Sequence, residues 1–215
     1  MSSPDQAPGA DEDPPLLGEP LAVELANSLY RSPHEHRDFL STPTAVRYWF
    51  SVAEPAASLA LPREITPELC KDLRNLRDAV RALLEHADRS HGPDRAPYGP
   101  AAAGAVEVLH ASAHRASTHV VLGTGPGGGG TGGGTGWTLA HDGTPDDVLV
   151  TAVASRCILF LGGPDREHVR VCARPDCPML FVRRHRARRF CHESCAHSLR
   201  QARYYRTRTA RTSTP

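Results

Sequence analysis

The sequence predicts an α+β protein, in which a mostly helical N-terminal domain with a small antiparallel hairpin precedes a small four-cysteine module with a C-terminal helix. Two observations carry this prediction. Apolar residues recur at helical spacing through much of the first 163 residues, and four of the six cysteines fall between positions 172 and 195. A chain of 215 residues is long enough for one compact domain and a small second module.

Composition and periodicity divide the first part of the chain into an acidic tail and a helical domain. Residues 1–15 are rich in proline, glycine and acids, which predicts a disordered tail, and residues 16–163 form the predicted helical domain. The strongest predicted helix begins after Thr66, a suitable N-cap, and is expected to end near Asp88. Its apolar positions step by three and four residues, as one face of a helix requires.

Shorter patterns predict the other elements of this domain. The glycine-rich stretch 123–136 separates two segments of β-forming residues, so it is the predicted loop of the hairpin. The predicted elements are a helix with Leu21, Leu25 and Leu29 on one face, a short apolar segment over residues 45–53, helices over residues 100–114 and 144–161, and strands over residues 118–122 and 136–140.

Two close pairs of cysteines lie near the end of the chain: Cys172 with Cys177, and Cys191 with Cys195. A tetrahedral zinc site is built in this way, because each pair supplies two thiolates from one tight turn and the insert between the pairs brings the turns together. The sequence therefore predicts one structural Zn²⁺ ion on these four ligands, with no open position for water. In the alternative ligand set, His192 or His197 replaces one thiolate.

The insert and the segment after it predict the secondary structure of the cysteine module. Residues 179–182 alternate like a strand, and Arg189 with Phe190 is expected to return antiparallel to that strand. Residues 198–206 are good helix formers, so the second cysteine pair is expected to lead into a helix.

The overall charge of +1 hides two parts of opposite sign. From His168 onward twelve arginines and two acids give a net charge of +10, whereas the first 167 residues carry −9. Guanidinium groups bind phosphates bidentately, which favours nucleic acid, and duplex DNA in particular, as the partner of the basic module. The candidate phosphate contacts are Arg183, Arg184, Arg186, Arg188, Arg189, Arg200 and Arg203.

Two longer motifs carry a resemblance to a known family. Val-Arg-Val-Cys-Ala-Arg-Pro-Asp-Cys at 169–177, followed by Leu-Phe-Val and Arg-Arg-Phe-Cys, resembles the CGNR-type zinc finger. Leu-Ala-Asn-Ser-Leu at 25–29 and Ser-Thr-Pro-Thr at 41–44 are similar to the ABATE domain that accompanies this finger in bacteria. Such proteins are described as stress-induced transcription regulators. The resemblance therefore implies a DNA-binding finger over residues 168–209, and a larger domain that senses a signal or assembles the protein.

The resemblance departs from the family pattern at one motif. Cys195 is followed by Ala-His-Ser, whereas the family is named after Cys-Gly-Asn-Arg, and the last cysteine pair is one residue tighter than expected. The four cysteines carry over as the implied zinc ligands. A role tied to the Gly-Asn-Arg residues does not carry over.

Other function classes find little support in the sequence. No stretch approaches eighteen apolar residues and the N-terminus lacks the pattern of a signal peptide, so we expect a cytoplasmic protein with no membrane partner. No nucleophile, paired-carboxylate or nucleotide-binding signature stands out, so we do not expect an enzyme. Three alternatives stay open: docking of the basic finger on an acidic protein or on the first domain, small-molecule sensing by the helical domain, and homodimerisation.

Overall fold

The computed structural model describes residues 13–33, 35–53, 56, 58–89, 100–123 and 136–201. Within these ranges helices predominate and the strands form antiparallel pairs, which confirms the predicted α+β class. Residues 1–12 of the predicted acidic tail and residues 124–135 of the predicted glycine-rich loop lie outside the described residues. The predicted domain boundaries stay predictions.

The helices are α1 (Leu21–Asn27), α2 (Pro43–Val52), α3 (Pro67–Arg89), α4 (Pro100–Ala113), α5 (Pro145–Gly162) and α6 (residues 193–201). The strand pairs are β1 (Leu29–Arg31) with β2 (His36–Asp38), β3 (Ser117–Gly123) with β4 (Gly136–Asp142), and β5 (Val169–Val171) with β6 (Leu180–Val182). No helix among the described residues is both long enough and apolar enough to cross a membrane.

Helix α3 forms the centre of the fold, and its start agrees with the sequence. Thr66 Oγ1 accepts a hydrogen bond from the backbone N–H of Leu69 at 3.1 Å, which satisfies one of the free donors in the first turn. The leucines of α3 that recur at helical spacing are buried, and the helix packs against α1, α4 and α5. Thr144 caps α5 in the same way, by accepting from the N–H of Asp147.

Two local predictions are wrong. Leu29 does not continue the first helix: α1 ends at Asn27, and Leu29 begins β1, which pairs with β2. Arg189 and Phe190 do not pair with β6; instead β6 pairs with β5, because the short segment 172–179 joins these two strands directly and makes them the local hairpin. The carbonyl of Arg189 accepts from the N–H of Ala173 at 2.9 Å.

Strand β6 connects two clusters of buried residues. Successive residues of a strand point to opposite faces, and all three residues of β6 are buried. Leu180 and Val182 belong to the core of the helical domain, whereas Phe181 packs with the four cysteines. The cysteine module is therefore packed against the helical domain through a strand that both cores share.

Candidate metal centre and arginine surface

The four cysteines Cys172, Cys177, Cys191 and Cys195 bring their sulfurs together, with all four Sγ atoms within 4.8 Å of one another. The Sγ atom of Cys177 lies 3.7 Å from that of Cys191 and 3.8 Å from that of Cys195, and the sulfurs of Cys191 and Cys195 are 3.7 Å apart. A regular tetrahedron with Zn–S bonds of about 2.3 Å has edges of about 3.8 Å. Four buried thiols at this spacing therefore suit Zn²⁺ in both donor type and geometry.

Backbone hydrogen bonds fix the first cysteine pair. The N–H of Cys172 donates to the carbonyl of Met179 at 2.9 Å, and the N–H of Cys177 donates to the carbonyl of Arg174 at 3.0 Å. These two bonds close the turn between β5 and β6. The turn holds the sulfurs of Cys172 and Cys177 close to the other two sulfurs of the cluster. The guanidinium of Arg174 lies 3.9 Å from the sulfur of Cys195, which adds positive charge beside the thiols.

The second cysteine pair lies at the start of α6, and the neighbouring histidines stay outside the cluster. Cys191 precedes α6 and Cys195 lies in its first turn. His192 and His197 are exposed, and the Nδ1 atom of His192 accepts from the N–H of Ser194 at 3.2 Å. Among the described residues the metal-binding group consists of the four cysteines, so the alternative with a histidine ligand gains no support.

The thiols need a cation if all four are to ionise together. Hydrogen bonding with Cys172 raises the pKa of the Cys177 thiol to about 12. Hydrogen bonding with Cys172 and Cys177 likewise raises the pKa of the Cys191 thiol above its ordinary value. A divalent ion lowers the pKa of each thiol that it binds, because it stabilises the thiolate form. Metal binding is therefore expected to release protons and to hold the two turns together.

Arg188 differs from the other predicted phosphate-binding arginines, because its guanidinium is used inside the protein. It donates to the carbonyl of Cys191 at 2.8 Å and to that of Val182 at 3.2 Å. It forms an ion pair with the buried Glu19 at 3.0 Å and lies over the ring of Phe181 at 4.7 Å. We therefore remove Arg188 from the predicted phosphate contacts and interpret it as a residue that positions the insert.

Five of the predicted arginines lie on the surface of the module. Arg184, Arg186, Arg189 and Arg200 are exposed and Arg183 is half-buried, whereas Arg203 lies outside the described residues. None of the five has an acidic partner in the part of the chain that the structure describes, and Arg200 donates to Nδ1 of His197 at 3.1 Å. We call this set the arginine surface: Arg183, Arg184, Arg186, Arg189 and Arg200.

Two residues that the sequence analysis did not assign hold the module on the helical domain. Asn27 Nδ2 donates to the carbonyl of Leu180, and Asn27 Oδ1 accepts from the N–H of Leu180, both at 2.9 Å. Arg81 Nη2 donates to the carbonyl of Pro178 at 2.6 Å. The signal for Asn27 was present in Leu-Ala-Asn-Ser-Leu, since a polar residue among apolar ones needs a hydrogen-bond partner when it is buried. Arg81 gave no such signal, because its helix face carries other charged residues.

Comparison with known families agrees with this geometry. Residues 168–208 match the CGNR zinc finger, and together with the four close cysteines this match supports one structural zinc ion. Residues 19–164 match ABATE, described as "Putative stress-induced transcription regulator". Neither description is that of an enzyme, and a search of curated proteins finds no matching relative. Because the first match covers more than half of the chain, this protein belongs to the ABATE family and carries a CGNR zinc finger at the end of its helical domain.

Proposed function

We propose that this protein is a transcription regulator that binds nucleic acid, and duplex DNA in particular, through its arginine surface. The observation that carries the proposal is the set of five arginines without an acidic partner among the described residues, on a module with a zinc site. The four cysteines Cys172, Cys177, Cys191 and Cys195 are the proposed zinc ligands. The family match supports the same reading, since regulators of transcription act on nucleic acid.

Packing of the module supports phosphate contacts at these positions. Arg183 directly follows β6, and Arg189 lies two residues before a cysteine of the metal centre. Their backbone is therefore held by the sheet and by the zinc site, which reduces the conformational entropy lost when phosphate binds. Guanidinium groups fixed in this way grip phosphate oxygens bidentately, but phosphate contacts carry no sequence information.

The rival function is a finger that docks on protein, either on an acidic partner or on its own helical domain. The module does dock on the helical domain, but it does so through β6, Asn27, Arg81 and the Arg188–Glu19 pair. That contact uses apolar packing, hydrogen bonds to the backbone of residues 178 and 180, and one ion pair with Arg188, and the side chains of the arginine surface take no part in it. Docking within the chain therefore leaves these arginines available for an external polyanion, either nucleic acid or an acidic protein.

The dependence of affinity on salt tests the proposal. If each of the five arginines neutralises one phosphate, log affinity for a DNA duplex should fall with log salt with a slope of about −4.5. Substitution of both Arg184 and Arg186 by Gln should weaken binding at low salt and reduce the slope to about −2.7. Fluorescence anisotropy of a labelled duplex with the zinc-loaded protein measures both quantities.

An arginine of the helical domain supplies the control. Arg63 is exposed and lies between α2 and α3, so Arg63→Gln removes one positive charge from another surface. The proposal expects this variant to keep the wild-type slope. No duplex binding at low salt, or an equal loss in Arg63→Gln, would overturn it, and binding to an acidic protein in place of DNA would favour the rival. The cytoplasmic location stays a prediction, and homodimerisation stays an open alternative that concerns a different surface.

A further inference from the structure

Strand β3 lies on the surface along its length. Each residue from 117 to 122 is exposed, and three of them in succession are apolar: Val120 is 67% exposed, Val121 37% and Leu122 69%. Because neighbouring strand residues point to opposite faces, β3 presents apolar side chains to solvent on both faces. Consecutive apolar residues exposed on both faces of one strand suit a strand that is covered by another chain.

The free edge of β3 lacks the features that normally protect such an edge. β3 pairs with β4 on one side, and in the described residues this sheet has two strands. Along the other edge alternate residues direct their N–H and C=O groups away from β4. Ser117–Gly123 holds no Lys, Arg, Asp, Glu or Pro, which are the residues that discourage pairing at an edge. A two-stranded ribbon is only marginally stable in water, so further strands would stabilise it.

We propose that β3 is the dimerisation edge of this protein, on which a second copy adds its own β3 in the antiparallel direction. The result is a four-stranded sheet with the order β4–β3–β3–β4 and a two-fold axis through its centre. The register that pairs all seven residues places Val120 opposite Val120 of the second copy. His119, the single ionisable side chain of the strand, then lies opposite Val121 of the second copy.

The absence of charged side chains at this edge favours a second copy of the same strand as its partner. An uncharged edge meets its own copy without repulsion between like charges directly opposite each other. Val120 then faces Val120 of the second copy across the axis, and Leu122 lies opposite Thr118 and diagonal to Val120 of that copy. The proposal does not depend on nucleic-acid binding, since it concerns a strand that lies outside the zinc module.

The molecular mass of the zinc-loaded full chain, measured without nucleic acid, tests this proposal. Analytical ultracentrifugation over a range of concentrations should show a reversible dimer. Val120→Lys places two ammonium groups opposite each other at the axis, so the dissociation constant should rise at least about tenfold. Leu159→Lys on α5 is the matched control, because Leu159 is an apolar residue that is 60% exposed and belongs to a helix, not to the strand.

Each outcome decides the proposal. A dimer that is weakened by Val120→Lys and kept by Leu159→Lys supports pairing through β3. A wild-type protein that stays monomeric at high concentration overturns it, as does an equal effect of the two variants or a dimer that Val120→Lys leaves unchanged. Zinc content and far-ultraviolet circular dichroism show that each variant has folded.

Discussion

Arg188 shows how a single residue can be misread within a charged run. In Arg183–Arg189 five of the seven residues are arginines, and the run has no periodicity that separates one from another. The fold separates them, because the position of Arg188 lets it reach Glu19, the Phe181 ring and two backbone carbonyls. Glu19 is buried, so its carboxylate depends on this guanidinium for a counter-charge.

Substitution of Arg188 is therefore expected to affect stability more than nucleic-acid contacts. Arg188→Gln leaves the buried Glu19 carboxylate without its ion pair, and the free energy of unfolding should fall by about 3 kcal/mol. Arg184→Gln, at an exposed position of the same insert, should change it by less than about 0.5 kcal/mol. Urea denaturation of the zinc-loaded proteins measures both values. Equal losses in the two variants would show that Arg188 has no special structural role.

Glu24 is the second residue whose role depends on burial. It lies on α1, and its Oε1 atom accepts from the N–H of Leu17 at 2.8 Å and of Glu19 at 2.7 Å. Its Oε2 atom has no hydrogen-bond partner among the described residues. Desolvation by burial raises the pKa of this carboxyl above its ordinary value, so folding favours the protonated form.

The raised pKa of Glu24 predicts how pH changes stability. The contribution of Glu24 to the free energy of unfolding is largest below its unfolded-state pKa of about 4.3. It is lost as pH rises through the higher pKa of the folded state. Glu24→Gln keeps an acceptor for the two backbone N–H groups and does not titrate. The free energy of unfolding of the wild type, minus that of Glu24→Gln, should therefore decrease as pH rises from about 4 to 7. Denaturant unfolding at several pH values measures this difference, and a constant or rising difference would contradict the prediction.

At the scale of elements, the sequence predicted those features that depend on local patterns. Helix α3 and helix α5 each have a threonine cap and apolar residues at helical spacing, and both were predicted within a few residues of their ends. The β3–β4 hairpin was predicted for the same kind of reason, since its strands are seven residues long and flank a glycine-rich stretch.

Three of the four three-residue strands escaped prediction, because such elements are too short to show a clear period; β6 was predicted from the alternation over residues 179–182. β1 and β2 were missed, and β5 was not recognised as the partner of β6. The metal centre depended on residue type and spacing, so its four cysteines were found from the sequence alone. The docking contacts of Asn27 and Arg81 join positions about a hundred residues or more apart, and no local pattern reports such a distance.

At the scale of the whole molecule, the opposite charges of the two parts meet in the ion pair of Arg188 with the buried Glu19, but apolar packing and hydrogen bonds also hold the parts together. The helical part and the zinc module meet through Leu180 and Val182 in the main core and through hydrogen bonds to the backbone of residues 178 and 180. Salt is therefore expected to weaken the proposed nucleic-acid binding without separating the two parts. The five arginines of the arginine surface have no acidic partner among the described residues, and the proposed binding would use their charge.

The shared strand β6 predicts that zinc stabilises the helical domain as well as the finger. Loss of zinc releases the turn that joins β5 to β6, and the packing of Leu180 and Val182 in the main core is lost with it. Trp49 is fully buried in that core and reports on the helical domain. With Trp137→Phe the protein keeps Trp49 as its single tryptophan, so its fluorescence follows this domain alone.

Removal of zinc with a chelator should lower the midpoint of the Trp49 thermal transition by about 10 °C or more, because a few kcal/mol shift the midpoint of a chain of this size by that amount. Addition of excess zinc should restore the original midpoint, which controls for effects of the chelator itself. The same midpoint should fall in a Cys195→Ser variant, in which one sulfur of the cluster is missing. If loss of zinc leaves the midpoint of the Trp49 thermal transition unchanged, the two cores unfold independently. The contact through β6 would then be too weak to transmit the stability of the metal centre.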